Sequence, residues 1–261
     1  MIEQQVTQVA TLSAVIITKN EELNIGRCIE SLLPVIDEVI VIDSFSTDMT
    51  LEIASSKGAQ CIQVEWKGYA ATKNFGNTLA TMDFIFSIDA DEALSPRLQE
   101  SIAKFKAAPY ADLGVVNRLT NYCGKWIRHS GWYPEYKTRL FRKSDGSWRG
   151  DVHEELDVTG DLKSAKLEGD LLHYSYPTIE SHLAKIPLYA TLAARRDLAK
   201  GKHYHFMSHG LMKPAFMFFK KYFLKLGLLD GFYGFVIALL SSLERFIRYA
   251  KYVELKKAQK G

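Results

Sequence analysis

The chain has 261 residues, 47% hydrophobic and 24% charged, enough to bury one large core or one core with a smaller appendage, which excludes a disordered protein. Its formal net charge of +3 gives no case for a nucleic-acid partner, and the basic residues concentrate toward the carboxyl end. Cys28, Cys61 and Cys123 are odd in number and far apart, fitting neither a disulfide framework nor a zinc-ligand spacing, so a reducing cytoplasm is expected.

The opening MIEQQVTQVATLS lacks the basic start and apolar run of a signal peptide, so export is not expected. The β-branched run LSAVIIT, residues 12–18, predicts a strand, followed by the polar turn Lys19 to Glu22 and a helical pattern through Leu33. The unit then repeats: EVIVI at 38–42 reads as a buried strand, DSFSTD at 43–48 as a turn, and 49–57 as a short helix. Residues 60–64 predict a third strand, 69–80 a helix, and FIFSI at 84–88 a fourth strand that stops at Asp89-Ala90-Asp91-Glu92. This alternation predicts an α/β fold, a mostly parallel sheet with helices on both faces. Ligands of such sheets sit beyond the carboxyl ends of the strands, so the polar clusters 18–22, 43–48 and 89–92 should converge. The aromatic, glycine- and arginine-rich stretch 115–155 reads as strands and loops, and the chain becomes helical again from about Thr178.

Asp89 and Asp91, two carboxylates at a strand tip, suit a hard divalent cation that bridges phosphates, Mn²⁺ or Mg²⁺. Acidic loops are also commonly just solvated. Asp43, directly after EVIVI, is placed to accept a hydrogen bond from a nucleobase or ribose, or else to cap the next helix with Ser44, Ser46 and Asp48. Lys73 in ATKNFG is a candidate cation for a nucleotide or its phosphates, with a surface lysine as the alternative. Arg139 and Arg142 in TRLFR are candidates for a diphosphate, against strand salt bridges. Trp132 and Tyr133 in SGWYP are candidates for stacking on a sugar, against a core or loop anchor.

The ordered set VIITKNEE, VIDSFSTD, KNFG and SIDADE, within residues 12–95, resembles the donor-binding half of the inverting glycosyltransferase family 2, with its Rossmann-like GT-A fold. RLFR, GxVHEEL, LLHYSY and the cationic aromatic tail are similar to the lipopolysaccharide inner-core branch of that family, typified by β-1,4-glucosyltransferases that modify heptose. The resemblance implies a GT-A catalytic domain over 1–177, with 12–95 binding a nucleotide sugar and 96–177 forming the acceptor part, and a helical extension over 178–261. It implies that Thr18, Asn20, Glu22, Asp43, Lys73, Asp89, Arg139 and Arg142 bind a UDP-sugar, UDP-glucose foremost. Lys73 stands where the family commonly has Arg. Asp91 and Asp89 are implied to hold the divalent metal, with His173 as a candidate ligand and a structural histidine as the alternative. One-step inversion needs a general base to take the proton of the attacking hydroxyl. The matching carboxylate is Glu154, where the family's Asp is replaced by Glu, with Glu155 and Asp151 as rivals and His153 as a candidate for orienting it or for lining the acceptor site.

Residues 206–257 interleave Phe216, Phe218, Phe219, Tyr222 and Phe223 with Lys213, Lys220, Lys221 and Lys225, and the longest uncharged run, 231–243, has thirteen residues. That is short of the roughly 20 needed to span a bilayer, so this segment is expected to lie on or dip into a membrane surface; packing on protein is the alternative. The expected setting is the inner face of the cytoplasmic membrane, with a lipid-linked saccharide as acceptor. Other readings are transfer to a polyprenyl phosphate or a surface-polysaccharide intermediate, a nucleotidylyltransferase, and a non-catalytic membrane scaffold. The loop TKNEE lacks the glycine-rich basic character of a nucleotidylyltransferase, and intact acidic motifs argue against a scaffold.

Overall fold

The computed structural model describes residues 9–150 and 155–259. The chain divides into two compact units, one of residues 1–118 with 135–174, the other of 119–134 with 175–261. In chain order the elements begin with β1 (Leu12–Thr18), α1 (Ile25–Leu32), β2 (Glu38–Asp43), α2 (Thr50–Ser56), β3 (Gln60–Gln63) and α3 (Tyr69–Leu79). Next come β4 (Phe84–Asp89), β5 (Glu92–Leu94), α4 (Pro96–Ala107), β6 (Leu113–Tyr122), β7 (Lys125–Trp126) and β8 (Glu135–Arg142). They are followed by β9 (Gly146–Arg149), β10 (Glu155–Val158), β11 (Ser164–Tyr176), α5 (Ile179–Ala199), α6 (Lys213–Phe219) and α7 (Gly231–Ala258).

The sheet is mixed, with strand order β3-β2-β1-β4-β8-β6-β11-β5. Its first four strands are parallel, as the strand–helix alternation predicts. Beyond β4 the pairing turns antiparallel, because β6 to β11 follow one another with no helix between them among the described residues and such connections return the chain antiparallel. Thus β8 runs antiparallel to β4 and to β6, and β11 to β5. All seven residues of β1 are buried, which is why LSAVIIT has no polar alternation. One core layer packs Ile25, Cys28, Ile29 and Leu32 of α1 and Leu98, Ile102 and Phe105 of α4 on one sheet face. The i, i+3, i+4, i+7 spacing in α1 and the i, i+4, i+7 spacing in α4 are the apolar stripes of half-buried helices. The other layer joins Val15, Ile17, Ile40 and Ile42 to Phe141 and Trp148. Gly169 in β11 has φ +97, and a Cβ there would stand 2.4 Å from the backbone nitrogen of Leu98, so only glycine lets this strand pass the start of α4.

The second unit is mainly helical. Thr178 and Ser181 close a reciprocal capping box at the start of α5, and π-helical turns at 206–212 and 220–224 flank α6. Buried Asp230, just before α7, accepts hydrogen bonds from the backbone of Arg128 and His129 (3.2 and 3.1 Å) and from Ser130 Oγ (3.0 Å), pinning the loop residues 128–130. Tyr122, Trp132, Tyr176 and His182 form an aromatic cluster with centroids 4.7–6.0 Å apart. Tyr122 Oη and His182 Nδ1 are 3.0 Å apart. The thirteen-residue run belongs to a longer helical stretch: residues 227–258 are, by length and composition, long and apolar enough to cross a membrane.

Burial, with the charges of Lys185 and Lys221, pushes His182 down from 6.5 to about 4. A histidine depressed in the folded state takes up its proton first in the unfolded chain, so stability falls as pH drops from about 6.5 toward 4. Unfolding free energies measured across this window should show that slope in the wild type and a flatter profile in His182→Gln.

Candidate active site

Parallel pairing sets Thr18 beside Asp43 and Ile17 beside Asp89, so three polar strand ends form one row at the carboxyl edge of the sheet. The loops that follow are locked to each other. Asn20 N donates to Ser46 Oγ (2.8 Å), Glu21 N to Thr50 Oγ1 (2.8 Å) and Glu22 N to Asp48 Oδ2 (3.2 Å). In return Thr47 N donates to Asn20 Oδ1 (2.8 Å) and Met49 N to Glu22 Oε2 (3.1 Å). Asn20 and Glu22, expected at the nucleotide, therefore spend side-chain oxygens on the neighbouring loop. Asn20 and Phe45 both have positive φ, 53 and 56, conformations that non-glycine residues hold only when their surroundings over-determine them.

Asp43 is buried and accepts from Ser46 N (2.9 Å), Ser46 Oγ and Gln63 Nε2 (3.1 Å). Two hydroxyls in the same row, Thr18 Oγ1 and Ser44 Oγ, are buried with no hydrogen-bond partner. Orphaned hydroxyls are uncommon inside proteins, and at a carboxyl strand edge they suit the polar groups of a ligand.

Asp89 is held by two buried cations. Its Oδ1 lies 3.0 Å from Lys73 Nζ and its Oδ2 3.0 Å from Arg139 Nη2. Arg139 also reaches Glu92 at 2.7 and 2.8 Å, and Glu92 accepts from Asp89 N at 3.0 Å. Burial alone would raise the Asp89 carboxyl, but the charges of Arg139 and Lys73 outweigh it and hold the group far below the usual carboxylate range. Lys73 is 1% exposed, with Trp148 4.9 Å from its ammonium. Lys73, expected to offer its cation to a nucleotide, is paired here with Asp89.

Asp91, one turn position on, is partly exposed, and His173 Nε2 stands 3.2 Å from its Oδ2. His173 Nδ1 is buried with no hydrogen-bond partner. Among the described residues no three His, Cys, Asp or Glu side chains gather as a metal cluster. The Asp91–His173 pair nonetheless fits Mn²⁺ or Mg²⁺, which take few protein ligands where phosphates and water complete the shell. Asp89, expected as a second ligand, has both oxygens on cations.

The structure does not bring Arg142 to this edge. Antiparallel pairing sets it opposite Phe84, at the start of β4, where its guanidinium lies 4.6 Å from the Phe84 ring and 3.4 Å from Asp112. Glu154, His153 and Asp151 lie outside the described residues, while Glu155 is exposed and pairs with Arg149 in the β9–β10 hairpin. Trp132 and Tyr133 belong to the second unit; Trp132 packs in its aromatic cluster and Tyr133 lies 5.4 Å from the Arg128 guanidinium. The sequence reading missed Glu92, Arg118 and Glu135. Arg118 makes a bidentate pair with Glu135 at 2.9 Å and reaches Glu92 at 3.5 Å. The one local hint was Glu92 itself, an acid following the Asp-Ala-Asp run into a buried strand. Asp89→Ala should leave two buried cations short of an anion and cost about 3–5 kcal/mol, measured by denaturant unfolding.

Residues 13–155 match the family described as glycosyl transferase family 2. An uncharacterized glycosyltransferase of Rickettsia bellii is 35% identical over 94% of this chain and 86% of its own length. The lipopolysaccharide core biosynthesis glycosyltransferase LpsC of Rhizobium meliloti is 30% identical over 92% of this chain and 91% of its own. Among solved structures, glucosyl-3-phosphoglycerate synthase of Mycobacterium tuberculosis, in complex with Mn²⁺, UDP and glucosyl-3-phosphoglycerate, aligns at TM-score 0.36 and 25% identity over 43% of this chain and 44% of that one. With the family match spanning more than half its length and a full-length relative at 35% identity, the chain is a glycosyltransferase that belongs to glycosyl transferase family 2.

Proposed function

We propose that the chain transfers a hexose, glucose foremost, from a UDP-sugar to a hydroxyl of a lipid-linked saccharide of the lipopolysaccharide inner-core kind, with inversion at the sugar carbon. The observation that carries this reading is the carboxyl edge itself: Asp91 beside His173, next to a locked Asp89 and in the row of Asp43 and the orphaned Thr18 and Ser44 hydroxyls. Its likeness to LpsC, whose name assigns that relative to lipopolysaccharide core biosynthesis, supports the acceptor class.

In this reading Asp43, Thr18 and Ser44 bind the nucleoside, and Asp91 with His173 holds Mn²⁺ or Mg²⁺. A divalent cation, when bound, neutralises the charge that develops on the departing diphosphate. Asp89 acts through Lys73, Arg139 and Glu92 to orient the 89–92 turn. Glu154 takes the proton from the attacking hydroxyl; an already ionised phosphate acceptor would need no such base. The second unit exposes Phe206, Met207, Met212, Phe216 and Phe232, the last 68% exposed, beside Lys213 and Lys220. That mixture supports peripheral attachment to the inner face of the cytoplasmic membrane through 206–257.

The test is donor turnover with UDP-, GDP- and dTDP-sugars in detergent, with Mn²⁺, Mg²⁺ or EDTA and with or without a lipid A-core acceptor. UDP release from one donor should need metal and rise with acceptor. Asp91→Ala should lower it by about 10²–10³-fold without altering the thermal midpoint; unchanged turnover would remove Asp91 from the site. Glu154→Gln should lower transfer to a hydroxyl by about 10²–10⁴-fold while UDP still binds, whereas unchanged transfer would point to a phosphate acceptor.

A further inference from the structure

A cleft of about 320 Å³ lies wholly within the second unit. Its walls carry four permanent cations, Lys202, Lys213, Arg245 and Arg248, with His203, His209 and Tyr204 between them. Among the described residues, the one carboxylate bonded to any of these side chains is Asp197. It is buried and takes Lys202 on Oδ1 at 2.8 Å, with Arg248 and Tyr204 on Oδ2. Lys213 and Arg245 have no carboxylate partner among the described residues, and the Nε of Arg248 is buried without an acceptor. Like charges gathered in a concave site raise the local potential and draw in an anion.

The floor is stiff. Tyr204 stacks on His209 and on Tyr252 with centroids 4.2 Å apart in both cases, and Tyr252 Oη donates to Lys202 O at 2.5 Å. His209 Nδ1 accepts from His205 N at 3.3 Å, which leaves Nε2 as the hydrogen-bearing nitrogen of the neutral ring. Burial first, and then the Lys213 charge, hold His209 below its ordinary value. With Asp197 answering one of the four positive charges, the three that remain exceed what one carboxylate ligand would neutralise, and they suit a multiply charged phosphate or diphosphate.

The same elements carry exposed apolar side chains. Phe206, Met207 and Met212, all more than half exposed, flank His209 and precede Lys213, and Phe246, 42% exposed, sits between Arg245 and Arg248. Cations beside rings and thioethers are what a lipid interface selects, with apolar groups entering the acyl boundary and cations meeting head-group phosphate. We propose that this cleft binds a phosphate or diphosphate group carried on a lipid, as a site separate from that for the donor diphosphate. It shares with the proposed function only the membrane contact of the second unit and does not depend on the donor chemistry of the first.

The experiment uses the full chain. Sedimentation with phosphatidylcholine vesicles, plain or doped with phosphatidic acid, is paired with calorimetric titration of inorganic pyrophosphate. Wild type is compared with Lys213→Ala/Arg245→Ala and with Lys220→Ala/Lys225→Ala, which removes as much charge from outside the cleft. Phosphatidic acid should raise vesicle binding about tenfold in wild type, and the cleft variant should lose most of that gain while the control, which removes membrane-facing charge outside the cleft, loses clearly less of it. Equal losses in both variants would mean diffuse attraction, and full retention in the cleft variant would empty the site; either overturns the proposal. Pyrophosphate binding without any vesicle preference overturns the lipid source in favour of a soluble phosphate. UDP release in detergent, followed in the same variants, should stay at the wild-type level. Its failure in wild type would count against the transferase reading while leaving the vesicle result to judge the cleft.

Discussion

Two buried cations, the buried carboxylate of Glu92 and the part-buried carboxylate of Asp89 at the end of β4 are the constraint on which the carboxyl edge of the sheet depends. Lys73 comes from α3, Arg139 from β8, Asp89 from β4 and Glu92 from β5, so the cluster ties the parallel part of the sheet to its antiparallel part. Lys73, Arg139 and Glu92 have lost their water, and the attraction within the cluster must offset that loss before it contributes any stability. What the network supplies is orientation. With Asp89 gripped on both oxygens and its backbone N–H held by Glu92, the turn has one arrangement, and Asp91 is carried to a partly open position beside His173.

Much of the first unit was legible because burial on both sheet faces demands continuous apolar runs, and EVIVI and FIFSI announce where those runs stop. The convergence of three polar strand ends followed from that pattern and from parallel topology. The division of labour within Asp-Ala-Asp did not, because no local feature says that α3 lands Lys73 on the first carboxylate. Arg139 and Arg142 illustrate a reading that strand geometry could have sharpened: three residues apart, they point to opposite faces, so both could not serve one ligand from one strand. Glu92, Arg118 and Glu135 were invisible for a different reason. Their meeting depends on the pairing of β6 with β8 and on the bulge between Gly114 and Val115, neither of which leaves a mark in the local sequence.

The second unit was legible as composition and not as geometry. Interleaved aromatics and lysines foretold an amphipathic surface, and the exposure of residues such as Met212 and Phe232 agrees with that. The thirteen-residue uncharged run understated the helical length, since residues 227–230 and 244–258 continue it on either side. The cationic cleft could not be read at all. Its side chains come from 202, 213, 245 and 248, positions that only the folding back of α7 along the preceding segments brings together. Trp132 shows the reverse case, an aromatic flagged for a sugar that the fold spends on Tyr122, Tyr176 and His182.

The loops after β1 and β2 are stitched by bonds running in both directions, backbone of each to side chain of the other. Neither loop therefore carries its own shape as a portable module. Transplanting 18–22 alone from a relative into this scaffold would strand the hydrogen-bonding groups of 43–50, and the reverse graft would do the same to Asn20 and Glu22. Inheritance and engineering alike must treat the two as one cassette. Change in these loops should then proceed by paired substitutions about 27 residues apart in sequence and adjacent in space.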